Sequence, residues 1–245
     1  MRTSCTAAAI GAFVVAAASS SHIQPAVAAA QATEHVYHLT AVRAAPGRIA
    51  DLLKALTAPA PDAPQFTAVF RHREGDEWDF LLVDYEGERA TVQVAPTPAA
   101  PAAGPSFPDV AAWHIDSYAA GPPLEEFRKA LNLQTGQSST ARREVYIFSG
   151  YSAAAGHYDQ LRKTLDKSAG ETPGRVVTLR HIEGAPWQFL SITRYDSWRA
   201  LADEMQPAET QAAPAADVGL ELRQHMSRHT DTIATVETVL DRKPR

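Results

Sequence analysis

Cysteine is almost missing from this chain: Cys5 is the single one among 245 residues. It follows the positive start Met1-Arg2 and sits ahead of an apolar stretch at residues 7–18 and the small-residue tract Ala26-Val27-Ala28-Ala29-Ala30. A charged start, a short apolar core and an A-x-A site together read as a secretory signal cut after Ala30. An uncleaved anchor is the competing reading, weakened because residues 19–22 and Pro25 interrupt the apolar run. Cys5 lies too far forward for a lipid-modified cysteine. The mature chain is then expected to hold no cysteine, which excludes disulfides, a thiol nucleophile, Cys-ligated zinc and iron–sulfur clusters. The expected location is periplasmic or secreted, with a fold that rests on its core without covalent staples.

Basic runs are missing too. Residues 31–245 carry 22 basic and 28 acidic side chains, a net charge of −6 with no cationic stripe. Nucleic acid and anionic membrane surfaces are therefore poor partners. No apolar stretch beyond the signal is long enough to span a bilayer. Glycine-rich phosphate loops, metalloprotease helices and EF-hand loops are absent as well.

What the chain does have is a copy of itself. Residues 35–83, shifted by 109, fall on residues 144–192 without a gap, and 17 of the 49 pairs are identical. Among them are Arg71/Arg180, His72/His181, Glu74/Glu183, Gly75/Gly184, Trp78/Trp187, Phe80/Phe189 and Leu81/Leu190. Two tryptophans and two Arg-His-x-Glu-Gly strings in register are not coincidence. A second match follows at a shift of 115, where His114-Ile115-Asp116 falls on His229-Thr230-Asp231. A period near 110 is too long for a solenoid repeat and suits duplication of a small domain.

Each copy reads alike. Residues 36–42 and 145–151 are β-rich runs ended with the help of Gly47 and Gly156. Ile49, Leu52, Leu53 and Leu56 then share a helical face, as do Tyr158, Leu161 and Leu165. Strands are expected at 66–73 and 176–182, and again at 78–85 and 187–195 after a Glu-Gly hairpin turn. Helices at 197–205 and 218–228 follow in the second copy, while the tract 95–108 of the first is an extended Pro/Ala loop. The His-x-Asp segment is the fourth strand, so the order is β-α-β-β-α-β. The expected organisation is a signal at 1–30, a first unit at 35–133 ending in a short helix, a connector at 134–143 and a second unit at 144–240.

The element order and the Trp-x-Phe-Leu hairpins, Trp78 to Leu81 and Trp187 to Leu190, resemble the dimeric α+β barrel superfamily, here as a tandem in one chain. The fold class implied is α+β: two tandem ferredoxin-like units forming a pseudo-dimeric barrel, which buries the bare sheet faces and closes the edges. The resemblance implies a menu of activities: cofactor-free oxygenases on aromatic substrates, haem-handling proteins, small isomerases and decarboxylases, and members without a known reaction. It also implies a ligand pocket between sheet and helices. It carries no catalytic motif across.

Strand residues two apart share a face, so His72 with Glu74, His181 with Glu183, His114 with Asp116, and His229 with Asp231 are candidate pairs. Imidazole beside carboxylate suits general acid–base work or a supported metal ligand. If the barrel closes as the resemblance implies, His72 would approach His229 and His181 would approach His114, as zinc, manganese or iron ligands. The simpler reading, which takes precedence, makes these residues structural: Glu-Gly turns the hairpin, Trp78 and Trp187 cover the core, and histidines tie strand ends to carboxylates. The leading functional expectation is an exported small-molecule-binding protein or enzyme with a Trp- and His-lined pocket for a small apolar or aromatic ligand. A cofactor-free monooxygenase and a non-catalytic interaction module are the alternatives. Residue patterns leave the cofactor open, and leave open whether the molecule is a monomer with an internal pseudo-dimer or a homodimer.

Overall fold

The β-branched and aromatic runs form strands, and the leucines spaced three and four apart form helices. Strand β1 (His35–Ala44) leads into helix α1 (Ile49–Thr57), then β2 (Phe66–Glu74), β3 (Phe80–Glu88), α2 (Phe107–Val110), β4 (Ala111–Gly121) and α3 (Leu124–Leu131). The second half runs β5 (Val145–Ala153), α4 (Tyr158–Glu171), β6 (Val176–Glu183), β7 (Phe189–Tyr195), α5 (Trp198–Met205), α6 (Val218–His225) and β8 (Met226–Asp241). The structure, a computed structural model, describes residues 34–58, 64–89, 107–136, 143–172, 174–206 and 218–241. The expected signal, most of the Pro/Ala tract and part of the connector lie outside the described residues. Two boundaries differ from expectation. Trp78 and Trp187 precede β3 and β7, and α6 stops at His225, because residues 226–228 already pair with β5.

The result is a mixed α+β fold on an eight-stranded antiparallel sheet that closes in the order β1-β3-β2-β8-β5-β7-β6-β4, with β4 returning to β1. Within each half the fourth strand lies beside the first, leaving β2 and β4, or β6 and β8, with an unpaired edge. An exposed edge is a row of unsatisfied backbone groups. Both edges are satisfied across the halves: β2 pairs with β8 from Phe66↔Asp241 to Glu74↔Ile233, and β4 with β6 from Tyr118↔Glu183 to Ala120↔Arg180. Local bonds recur at the sequence shift. Ala44 N–H donates to Asp79 Oδ2 at 2.8 Å, and Ala153 N–H donates to Gln188 Oε1 at 2.6 Å.

Alternation decides the two faces. Phe66, Ala68 and Phe70 of β2 and Val177 and Leu179 of β6 point inward, with Tyr37, Leu39, Tyr146 and Phe148. Helix α3 sends Leu124, Phe127 and Leu131 into the same cluster. Phe127 stacks on Tyr37 at 4.7 Å between centroids, and the Tyr37 and Tyr146 hydroxyls donate to the carbonyls of Pro122 and Leu131. This end of the barrel is plugged. On the outer face, Leu52 of α1 packs on Val42, Val69 and Phe80, and Leu161 and Leu165 of α4 pack on Tyr151 and Phe189. Each fully buried leucine contributes about 2 kcal/mol.

The repeated motifs meet where the halves join. Register shifts between His72 and Glu74 and between His181 and Glu183 put one extra residue, Arg73 and Ile182, into β2 and β6. Such bulges bend a strand away from its partner. Gly75 and Gly184 follow at φ 114° and 93°. A β-carbon on Gly75 would lie 2.5 Å from the Asp231 carbonyl oxygen, and one on Gly184 would collide with the Asp116 carbonyl oxygen. The Arg-His-x-Glu-Gly string of each half thus seats on the His-x-Asp strand of the other. Gly47, at φ 76°, has nothing within 4 Å of the same added atom. Gly75→Ala is therefore expected to destabilise by more than the roughly 1–3 kcal/mol of a strained backbone alone, and clearly more than Gly47→Ala. Denaturant midpoints measure both, and equal losses would contradict the seating.

Candidate functional site

Opposite the plugged end, the barrel interior opens into a cavity of about 400 Å³. Its wall is built from matched positions. Trp78 and Trp187, Leu81 and Leu190, Leu39 and Phe148, and Ala41 and Gly150 face it from the two halves. The matching fails toward the mouth, where Trp113 of β4 stands at the position that Arg228 takes on β8, and Asp76 and Glu77 stand where the other half has Ala185 and Pro186. The wall is apolar and aromatic, while a guanidinium and two carboxylates share the rim. This combination, an apolar cleft with a few polar groups, is what small-molecule sites present. It also corrects the expectation of a pocket between sheet and helices, because this cavity lies inside the barrel.

The two indoles are placed by the histidines of the repeated string. His72 stands edge-on to Trp78 at 5.3 Å between centroids, and His181 to Trp187 at 5.6 Å. Neither imidazole lines the cavity. His181 Nε2 accepts a hydrogen bond from Ala185 N–H at 3.1 Å. The equivalent donor in the first half, Asp76 N–H, turns instead to Thr232 Oγ1 at 3.3 Å. His72 Nε2 is consequently buried with no hydrogen-bond partner among the described residues. Glu74 and Glu183 are exposed at the bulges.

The His-x-Asp pairs face the other way. Trp113, Ile115 and Ser117 of β4, and Arg228, Thr230 and Thr232 of β8, point into the cavity, so His114, Asp116, His229 and Asp231 fall on the outer face. His114 Nε2 lies 3.3 Å from Asp116 Oδ2, and His229 Nε2 lies 3.0 Å from Asp231 Oδ1. Thr40 and Ser149 hydroxyls donate to the same two carboxylates at 2.8 and 2.5 Å. His229 stacks on Tyr151 at 4.7 Å. Burial pushes the Tyr151 phenol above its ordinary range, opposed by its hydrogen bond with Ser149.

The expected approach of His72 to His229, and of His181 to His114, is not formed. The strands do pair as expected, but the register sets His72 opposite Ala234 and His181 opposite Ala119. Five residues of strand, roughly 17 Å, and the thickness of the sheet separate each imidazole pair. Among the described residues no group of three or more His, Asp and Glu side chains is placed to hold a metal ion.

Sequence reasoning passed over three residues. Trp113 and Arg228 have no like partner in the other half, so the repeat did not flag them. His38 has no like partner either, since the second half has Ile147 there. Its ring nevertheless stacks on Tyr118 at 4.7 Å, and its Nε2 lies 3.1 Å from Asp116 Oδ1. The inward-facing alternation Trp113, Ile115, Ser117 on β4 was the available signal for Trp113.

No family model and no curated protein matches the chain. Solved structures do match its fold. An anthrone oxidase-like protein superposes with a TM-score of 0.55 at 12% identity, over 87% of this chain and 95% of that one. A protein of Lactobacillus acidophilus assigned as a monooxygenase gives 0.50 at 10% identity, over 85% and 96%. One of Fusobacterium nucleatum, also assigned as a monooxygenase, gives 0.51 at 6% identity, over 87% and 99%. These neighbours are of the dimeric α+β barrel type. The chain shares that fold with them.

The outer pairs are half exposed, with His229 at 33% and Asp231 at 50%, and Ser149 keeps Asp231 bonded if the imidazole is removed. His229→Ala is expected to change stability by less than about 1 kcal/mol and to leave a ligand of the interior cavity bound as before. Thermal melts with and without ligand decide this, and a lost ligand response would put the working site on the outer face.

Proposed function

We propose that this is an exported protein whose two tandem ferredoxin-like units close as a one-chain version of a dimeric α+β barrel. It binds one small aromatic molecule in the barrel interior. The observation that carries the reading is the convergence of three indoles, Trp78, Trp113 and Trp187, with Phe148, on a single cavity open at one end. Flat apolar faces on several sides favour a flat apolar guest, through burial and through offset or edge-to-face ring contacts. The fold likeness to an anthrone oxidase-like protein supports a polycyclic aromatic as the guest. With each sheet edge paired within the chain, a monomer suffices.

The test is a thermal-shift and tryptophan-fluorescence screen of fused-ring phenols, haem and divalent metals, since a ligand well above its dissociation constant raises the melting temperature. Fused-ring phenols are expected to raise it and to quench the indoles, with Trp187→Ala weakening binding at least tenfold. Oxygen uptake during the same titration would add catalysis to binding. No response from any aromatic would overturn the reading in favour of an interaction module.

A further inference from the structure

The two joins between the halves differ in charge, and the difference makes a second site. At the β4–β6 join the carboxylate of Glu34 sits between two guanidiniums, accepting from Arg89 Nη1 at 2.5 Å and from Arg180 Nη2. The bond from Arg89 and the pairing with Arg180 hold the Glu34 carboxyl below its ordinary range against the effect of burial. Shifting these residues by 109 positions gives the other join: Arg143 replaces Glu34, Trp198 replaces Arg89, and Arg71 is the counterpart of Arg180. The neutralising carboxylate is thereby exchanged for a cation, and one of the two cations for an indole.

These replacements line an opening of about 800 Å³, together with Arg73 and Glu237. Among the described residues Arg71 pairs with Glu237 alone, at 3.8 Å. Arg73 Nε donates to the neutral Thr235 Oγ1 at 2.9 Å. Glu144, next along the chain, is already held by Asn132 Nδ2 at 2.6 Å and by the Arg143 N–H at 3.1 Å. Trp198, whose helix is capped by the Ser197 hydroxyl, is 50% exposed beside them. In a protein with more acidic than basic residues, this opening gathers guanidiniums next to an exposed indole. Planar guanidiniums match the oxygens of carboxylate or phosphate, and an indole face matches a planar ring.

We propose that this opening binds a planar aromatic anion, its oxyanion group held by Arg71, Arg73 and Arg143 and its ring laid on Trp198. The site is separate from the interior cavity and does not depend on what that cavity binds.

Phenyl phosphate is the probe, titrated calorimetrically into the full chain, with inorganic phosphate and phenol as its two halves. Saturable binding that weakens as salt is raised is expected. Arg143→Glu, which restores the residue of the other join, is expected to weaken phenyl phosphate at least tenfold. Trp198→Ala is expected to weaken it severalfold and to leave inorganic phosphate unchanged. Arg143 and Trp198 are both exposed, so circular dichroism melts should match wild type. Should Arg143→Glu perturb the fold, Arg143→Gln removes the charge without reversing it and gives the same reading. Equal affinity in wild type and the Arg143 variants, or no binding of millimolar phenyl phosphate, would overturn the proposal.

Discussion

Each half of this chain folds into four strands with two edges that cannot remain bare, and the molecule is organised by how those edges find each other. The β2–β8 and β4–β6 pairings turn two open sheets into one closed wall. They work only because the second strand of each half bulges and then turns through a glycine small enough to lie on the other half's backbone. The seating of Gly75 on Asp231 and of Gly184 on Asp116 is the same contact made twice. Once made, it fixes which residues of β4 and β8 look inward. The interior cavity and the outward His-x-Asp pairs both follow from that.

Closure also explains where the halves are free to differ. Deep in the barrel, aromatic and aliphatic residues of both halves must fill one shared space, and there the positions match in kind: Leu81 with Leu190, Tyr37 with Tyr146. At the open end and on the outside, packing constrains less. Trp113 faces Arg228 across the cavity mouth, and a Glu34 clamp at one join becomes an arginine-lined opening at the other. Two equivalent surfaces have become two chemically distinct ones at positions outside the fully buried core.

Much of this architecture could be read from the residues. The strands and helices follow from periodicity, and the internal match at a shift of 109 aligned equivalent atoms, down to the Asp79 and Gln188 side chains that accept the same backbone N–H. The site was less legible, for two physical reasons. Register across the joins is not written in the local pattern, and it sets His72 opposite Ala234, five residues from His229. The choice of inner and outer face is set by closure, and only two of the expected pairs share a face: His114 stays with Asp116 and His229 with Asp231, but the bulges part His72 from Glu74 and His181 from Glu183. Repetition pointed to the residues that build the joins. The residues that give each surface its own chemistry, Trp113, Arg228, Arg143 and Trp198, are the ones that do not repeat.

The central claim, that the two halves are one barrel joined along both β2–β8 and β4–β6, is tested most directly by native-state amide hydrogen exchange. Amides bonded across these joins are expected to exchange only with global unfolding, at the same free energy as those of the β1–β3 and β5–β7 pairs within each half. Rapid exchange at both joins, with protection retained inside the halves, would show two independently folded units and contradict the account.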